Sequence, residues 1–184
     1  MVSLSTNIAI VSILFSVIVS VQAGITHIET EPSVTIEFDS FGDTGAYEKI
    51  IGTIEGEIDP QDRRHQDIVD INLAPTINGM VQYRAPFYIL KPVDHEKANG
   101  KVFYAFGNRG AKRALQWLND ASASNNPVSE DHYGHGFLMR QGYTLVMNGY
   151  SGHVRAGANI LGAEIPVIKN PDGSSVTGKV VTEL

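Results

Sequence analysis

The chain is 184 residues long, carries 14 Lys+Arg against 20 Asp+Glu for a net charge of −6, and has no cysteine. That length suits one domain with a real core, and without disulfides its stability has to come from packing. The acidic balance, with no basic cluster beyond Arg63-Arg64-His65, argues against nucleic acid and against an anionic membrane surface; the two arginines follow Asp59-Pro-Gln-Asp62 and fit a solvated turn.

Residues 8–21 are apolar apart from three serines, and Val21-Gln-Ala23 before Gly24 suits signal peptidase. The run is short against the roughly 20 apolar residues of a membrane span. No Lys or Arg precedes Lys49, so only the N-terminal amine is positive there. Residues 1–23 are therefore expected to be a signal peptide and 24–184 the mature chain, secreted or periplasmic and off the membrane after cleavage, with an uncleaved anchor as the alternative.

Residues 33–38, Ser-Val-Thr-Ile-Glu-Phe, alternate as a half-buried strand does, and Phe41-Gly-Asp-Thr-Gly45 breaks the pattern. Residues 47–58 form a longer predicted strand, in which Gly52 and Gly56 suggest a bulge or a close backbone approach. A third strand is expected over 67–73, closed by Ala74-Pro75, and a fourth over 80–90, with Pro86 placing it at an edge or a break. Residues 24–99 thus read as β-rich and antiparallel.

From Asn99-Gly100 the pattern changes. Residues 101–106 are nearly continuously apolar, as in a parallel strand buried on both faces, and 110–118 place Ala111, Ala114, Leu115 and Leu118 at helical spacing. A polar loop over 119–130 precedes a helix end over 136–142, with Gly142 as its left-handed cap, and a core strand over 143–147. Strand, helix, loop, helix and strand make one β-α-β crossover spanning 100–150. Residues 151–184 read as a loop and a hairpin, 165–169 and 176–183 flanking a type I turn at Asn170-Pro-Asp-Gly173. Between strand and helix, Gly107-Asn108-Arg109-Gly110 gathers backbone N–H groups in a small concavity, suited to a phosphate, a carboxylate or a developing oxyanion.

The segments 101–110, Gly136-Phe-Leu-Met-Arg-Gln-Gly-Tyr-Thr-Leu-Val146 and Asn148-Gly-Tyr-Ser-Gly-His153 resemble the third strand, first crossover and fourth strand of an α/β-hydrolase. With Gly56-Glu-Ile-Asp-Pro60 and Asn72-Leu-Ala-Pro75 they resemble a group of exported bacterial α/β-hydrolase domain proteins, from about residue 36 onward. The resemblance implies an α/β fold class: the N-terminal portion of an α/β-hydrolase mixed sheet, with an antiparallel β-rich first half and one β-α-β crossover. It also implies cofactor-free hydrolysis of a small-molecule carboxylic ester. Hydrolases of this fold take one oxyanion-hole amide from the turn after the third strand and another from the residue after the nucleophile. Carried onto this chain, the first donor is the amide of Arg109 or Gly110, with Asn108 orienting the turn at a substrate-binding position. The usual His-Gly pair of that loop is replaced by Asn-Arg-Gly, and the alternative is that Gly107 and Gly110 only let strand meet helix.

A serine hydrolase of this fold also needs a Gly-x-Ser-x-Gly elbow, then an acid, then a histidine. No such pentapeptide occurs; the nearest, Gly149-Tyr-Ser-Gly-His153, has its glycine at the wrong offset and no later histidine as base. Ser151 is accordingly read as a loop residue. The chain is expected to be the amino-terminal part of a longer hydrolase, lacking the elbow and inactive alone; the alternative is an exported, non-catalytic module that binds a carbohydrate or protein partner. No metal site is expected. His132-Tyr-Gly-His135 with Asp131 lies in a loop, the acidic residues Asp39, Asp43, Glu48 and Glu55 lack an EF-hand's closing Glu, and His27, His65 and His95 stand among polar neighbours. Trp117 and Leu118 are expected in the core.

Overall fold

The computed structural model describes residues 24–107, 109–154 and 159–178; the expected signal segment, Asn108 and the last residues of the expected hairpin lie outside the described residues. One mixed sheet has the order β1 (Gly24–Thr30), β3 (Tyr47–Ile58), β4 (Val81–Pro92), β6 (Thr144–Asn148), β5 (Val102–Tyr104), with β2 (Val34–Ile36) paired to β3. Every pairing is antiparallel except β5 with β6, which is parallel. Six strands with few helices make an α/β-like arrangement, antiparallel in its first half.

Two long strands carry the antiparallel half. Gly52 faces Phe87 and Gly56 faces Tyr83 across the β3–β4 pair, and a Cβ at either glycine would collide with the facing ring. The glycines are therefore bare seats for aromatic rings, a close approach, and opposite Gly56 the β1–β3 register also shifts, between Ile25 and His27 of β1. Pro86 marks the point where β6 stops: β6 pairs with Phe87 to Leu90, and the next amide, Gly149 N–H, donates to the Pro86 carbonyl at 2.8 Å. The prolyl nitrogen faces that same side, where the ladder has ended and no donor is missed.

Residues 67–73 are not a strand. The chain from 59 to 73 winds through two 3-10 turns, Arg63–His65 and Ile71–Leu73. Asp59 accepts from Gln61 N–H at 2.8 Å, Asp62 from Arg64 N–H at 2.9 Å, and Asp70 adopts a left-handed φ of 56°. Short acidic side chains that capture nearby backbone donors outcompete extended pairing. Val69, a strand former by composition, ends 82% exposed.

The crossover between β5 and β6 is held by packing more than by helix. The helix expected over 110–118 shortens to α1 (Ala114–Leu118), and the second is the single turn α2 (Phe137–Arg140). Such short helices are unstable alone. Asn119, fully buried, ties them together: its N–H donates to Leu115 O at 2.9 Å, its Nδ2 to Tyr133 O at 2.9 Å, and its Oδ1 accepts from Leu138 N–H at 3.0 Å. Gly142 takes the left-handed conformation (φ 68°) that ends α2, where a Cβ would come within 2.5 Å of Lys97 O.

The core lies on one face of the sheet, where Tyr47, Tyr88, Leu90, Leu145 and Met147 meet Leu115, Leu138, Met139, Phe41 and Tyr133. Phe41 stands edge-on to Tyr47 and Tyr133 at centroid distances of 5.5 and 5.4 Å, pairs that add about 0.5–1.5 kcal/mol each beyond area burial. The Tyr47 hydroxyl, 3.1 Å from Met139 O and 3.0 Å from Tyr143 O, pins the end of α2 to the entrance of β6.

Two expectations fail at the periphery, and a third, the hairpin, is met in the described residues by its turn and one bridge. β5 is an edge strand, not one buried on both faces: Phe103 and Ala105 pack on the core, but Val102, Tyr104 and Phe106 on the other face are 62%, 49% and 69% exposed. Trp117 is 67% exposed because the five-residue helix turns only Ala114 and Leu115 inward, and Leu118 lies at 38%. In the described part of the expected hairpin, the turn closes with Gly173 N–H on Asn170 O at 2.8 Å and one bridge, Lys169 to Ser175, without strands. The chain before it instead pairs with β4, Arg84 and Glu164 exchanging backbone hydrogen bonds of 2.9 and 2.7 Å.

Candidate functional site

Because β5 and β6 run parallel, the loops that follow them leave the same end of the sheet. β4 runs the other way, and its stretch before Phe87 extends past the end of β6 with Glu164 alongside, so a crevice opens there. In sheets of this kind, ligands bind outside the carboxyl ends of the strands, where successive connections diverge.

The turn after β5 bends through two left-handed residues, Arg109 (φ 49°) and Gly110 (φ 79°). Gly110 is buried, and its carbonyl accepts from Leu161 N–H at 3.0 Å; a Cβ on it would meet Leu161 O at 2.5 Å. Glycine is required there by contact as well as by φ. The Arg109 and Gly110 amides have no acceptor among the described residues, while the Arg109 side chain is exposed. Asn108, the third residue singled out in the sequence, lies outside the described residues.

The loop after β6 closes on that turn. Tyr150 Oη donates to Gly107 O at 2.6 Å, and the Tyr150 ring stacks on Phe106 at 4.4 Å between centroids. Beneath Phe106 and Gly107 is a mainly apolar cavity of about 200 Å³, with Phe103, Ala111, Ala114 and Met147 in its wall and Trp117 at its rim. Gly107 and Ala111 line that cavity, while Arg109 and Gly110, between them in sequence, are not part of its wall; free amides beside an apolar cavity suit the oxygen of a polarised carbonyl.

Ser151 is buried in the same loop, its Oγ 3.0 Å from Nδ1 of His153 and 3.4 Å from Nε2. This is not the arrangement of a triad, in which Nε2 serves the serine and Nδ1 is held by an acid. Among the described residues no carboxylate bonds to His153, and the Ser151 carbonyl is occupied by Ala163 N–H at 3.0 Å. No family model, curated protein or solved structure matches the chain.

His65 and His132 serve local structure, the His65 ring lying 2.9 Å from Asp59 O. His132 Nδ1 lies 3.0 Å from Ser129 Oγ and accepts from Val128 N–H at 3.2 Å, closing its own turn. Among the described residues no group of three or more metal-ligating side chains comes together, and no helix is long and apolar enough to cross a membrane.

Two features escaped the sequence. Arg84 on β4 draws Glu29, Glu55 and Glu164 to 3.8, 3.3 and 3.7 Å, three carboxylates on one guanidinium from three separate parts of the chain. Lys112 is buried while its neighbour Arg113 is only half-buried. Two adjacent basic residues carry no local signal for which one turns inward; the inward direction is set by Asn125 Oδ1, which accepts Lys112 N–H at 3.0 Å from 13 residues away.

Proposed function

We propose that this chain is the amino-terminal portion of an α/β-hydrolase sheet, exported behind residues 1–23. In this reading, the hydrolase to which it corresponds cleaves a small-molecule carboxylic ester with a serine nucleophile, and the present chain is inactive alone. The observation that carries the reading is the turn at Arg109 and Gly110. The Arg109 and Gly110 amides, which have no acceptor among the described residues, follow the carboxyl end of a parallel strand pair, and the preceding Gly107, which lines an apolar cavity, is braced by Tyr150. Amides so placed favour an oxyanion over a neutral carbonyl, and one such donor is worth about 10²–10³ in rate. Without a nucleophile there is nothing for that preference to accelerate.

The purified chain is incubated with a fluorophosphonate probe and with chromogenic acetate and butyrate esters. Neither labelling nor turnover is expected, and covalent labelling at Ser151 would refute the inactive reading. The hydrolase assignment is tested separately on genomic DNA beyond the Leu184 codon. An in-frame or frameshifted Gly-x-Ser-x-Gly followed by an acid and a histidine is expected, and the longer chain should hydrolyse the esters. A continuation without an elbow would remove the assignment.

A second reading, a carbohydrate-binding module, draws on the exposed rings of Phe106 and Tyr104, set edge-on at 6.4 Å, against which a sugar ring could pack. Glycan-array binding abolished by Phe106→Ala would favour it over the hydrolase.

A further inference from the structure

Lys112 and Lys49 are 6% and 8% exposed and lie against the same side of the sheet. Buried charges are normally paired. Here no carboxylate stands within ion-pair distance of either lysine among the described residues. The Lys112 ammonium donates to the carbonyls of Asn125, at 2.7 Å, and Asn159, and lies 5.2 Å from the centroid of the Tyr88 ring. An ammonium has three hydrogens, so one remains uncommitted to any oxygen. Lys49, which enters from β3, has no acceptor among the described residues. Lys112 lines a cavity of about 130 Å³ walled by Ile51, Tyr88, Asn125, Asn159 and Leu161. Its mixture of amide donors, one ammonium and apolar walls suits a small anion with oxygen atoms at one end.

We propose that the cavity beside Lys112 is a binding site for a small oxyanion, a simple carboxylate or inorganic phosphate, which supplies the counter-charge the described residues do not, with the nearby Lys49 charge adding to its attraction. Asn125 turns its Oδ1 to the Lys112 amide, and its Nδ2 keeps two further donors for such a ligand. The volume admits acetate, formate or phosphate and excludes a nucleotide. The charged and titratable groups facing Lys112 are Lys49 from β3 and Tyr88 from β4; the 125–126 and 159–161 segments bring none. Burial, with the Lys49 charge, lowers the Lys112 pKa to about 8, and an anion in the cavity opposes both effects. The proposal is independent of the hydrolase reading, because it involves neither the Arg109 turn nor any turnover.

The test uses the purified wild-type chain at pH 7 in an amine buffer with ionic strength held constant by chloride. Sodium acetate and sodium phosphate are titrated separately and followed by amide chemical shifts and by melting temperature. Saturable shifts at residues 112, 125 and 159–161, with a rise in melting temperature, are expected for at least one anion. Saturation by acetate alone identifies a carboxylate site and by phosphate alone a phosphate site. Lys49→Met, which leaves the Lys112 hydrogen bonds in place and removes the neighbouring positive charge, should weaken binding about tenfold. Non-saturable shifts, shifts spread over the surface lysines, the same response to chloride, or unchanged affinity in Lys49→Met would each overturn the proposal. These outcomes do not depend on whether a Lys112 variant folds.

Discussion

Between pH 8 and pH 10 the protein should become more stable as the solution turns alkaline, with Lys112 responsible. Its pKa falls from 10.5 in the free side chain to about 8 in the fold, through burial first and the Lys49 charge second. In that window the unfolded chain binds a proton that the folded chain does not, so stability rises with pH. Below pH 8 both states are protonated and the whole penalty is present; above pH 10.5 it is gone. At about 1.4 kcal/mol per pKa unit, the gain is roughly 2 kcal/mol by pH 9.5. Tyr47, Tyr88 and Tyr133 oppose it at the alkaline end. Burial raises all three phenols, Tyr133 to about 12, so they stay protonated in the fold while the unfolded chain ionises. Their contribution is present below the unfolded tyrosine pKa of about 10 and is lost above it, so the profile should turn over near pH 10. Urea titrations at half-unit steps from pH 7 to 10.5, in amine buffers free of oxyanions, read this as a midpoint rise of about 1 M, given a slope of about 1–3 kcal/mol per molar. Lys112→Met should remove the rise and keep the fall above pH 10. A flat wild-type profile up to pH 9.5, or an equal rise in Lys112→Met, would refute the reasoning.

Other substitutions probe the parts that position the crevice. Asn119→Leu strands the Leu138 N–H inside the core and leaves the Tyr133 carbonyl with the Gly136 N–H as its remaining donor, and should cost about 2–4 kcal/mol by chemical denaturation. Gly110→Ala combines a left-handed φ with a collision against Leu161 O; a loss of about 1–3 kcal/mol is expected, with amide shifts concentrated at 160–163. Tyr150→Phe removes the bond to Gly107 O and should speed amide hydrogen exchange at Leu161, whose N–H is held by Gly110 O, while changing global stability by no more than about 1 kcal/mol.

The elements legible in the sequence are those whose patterns are reinforced by their neighbours. The alternation over 47–58 becomes β3 because Gly52 and Gly56 fall opposite Phe87 and Tyr83, so local pattern and cross-strand packing agree. Gly142 is legible as a helix stop because a left-handed residue beside Lys97 O admits only glycine. Residues 67–73 mislead because their apolar positions suggest a strand while Asp70 takes a left-handed φ and the backbone closes a 3-10 turn over Ile71–Leu73. β1 is missed because all its residues are exposed, so its apolar positions are not sorted by burial; it exists only as a partner for β3. At the candidate site, the glycines around Arg109 are visible in sequence. The Tyr150 brace and the burial of Lys112 are not, since each depends on a partner brought from far along the chain.

The edge at β5 links solubility to the geometry of the turn. Val102, Tyr104 and Phe106 leave an apolar face and an open strand edge toward solvent, an arrangement that invites pairing with another chain. Phe106 also stacks on Tyr150, with Tyr104 edge-on to it at 6.4 Å, and Tyr150 in turn holds Gly107. The rings that make the edge a liability therefore hold the two loops together. Phe106→Lys should reduce concentration-dependent association in sedimentation velocity, since one exposed charge on an edge suffices to oppose pairing. It should also accelerate amide exchange at Leu161, whose N–H is held by Gly110 O, because Tyr150 loses the ring that orients it. Val102→Lys, at the far end of the strand from the turn, should reduce association without the second effect. If the two variants loosen the turn equally, the aromatic stack is not what holds it, and the crevice takes its shape from the Gly110–Leu161 contact alone.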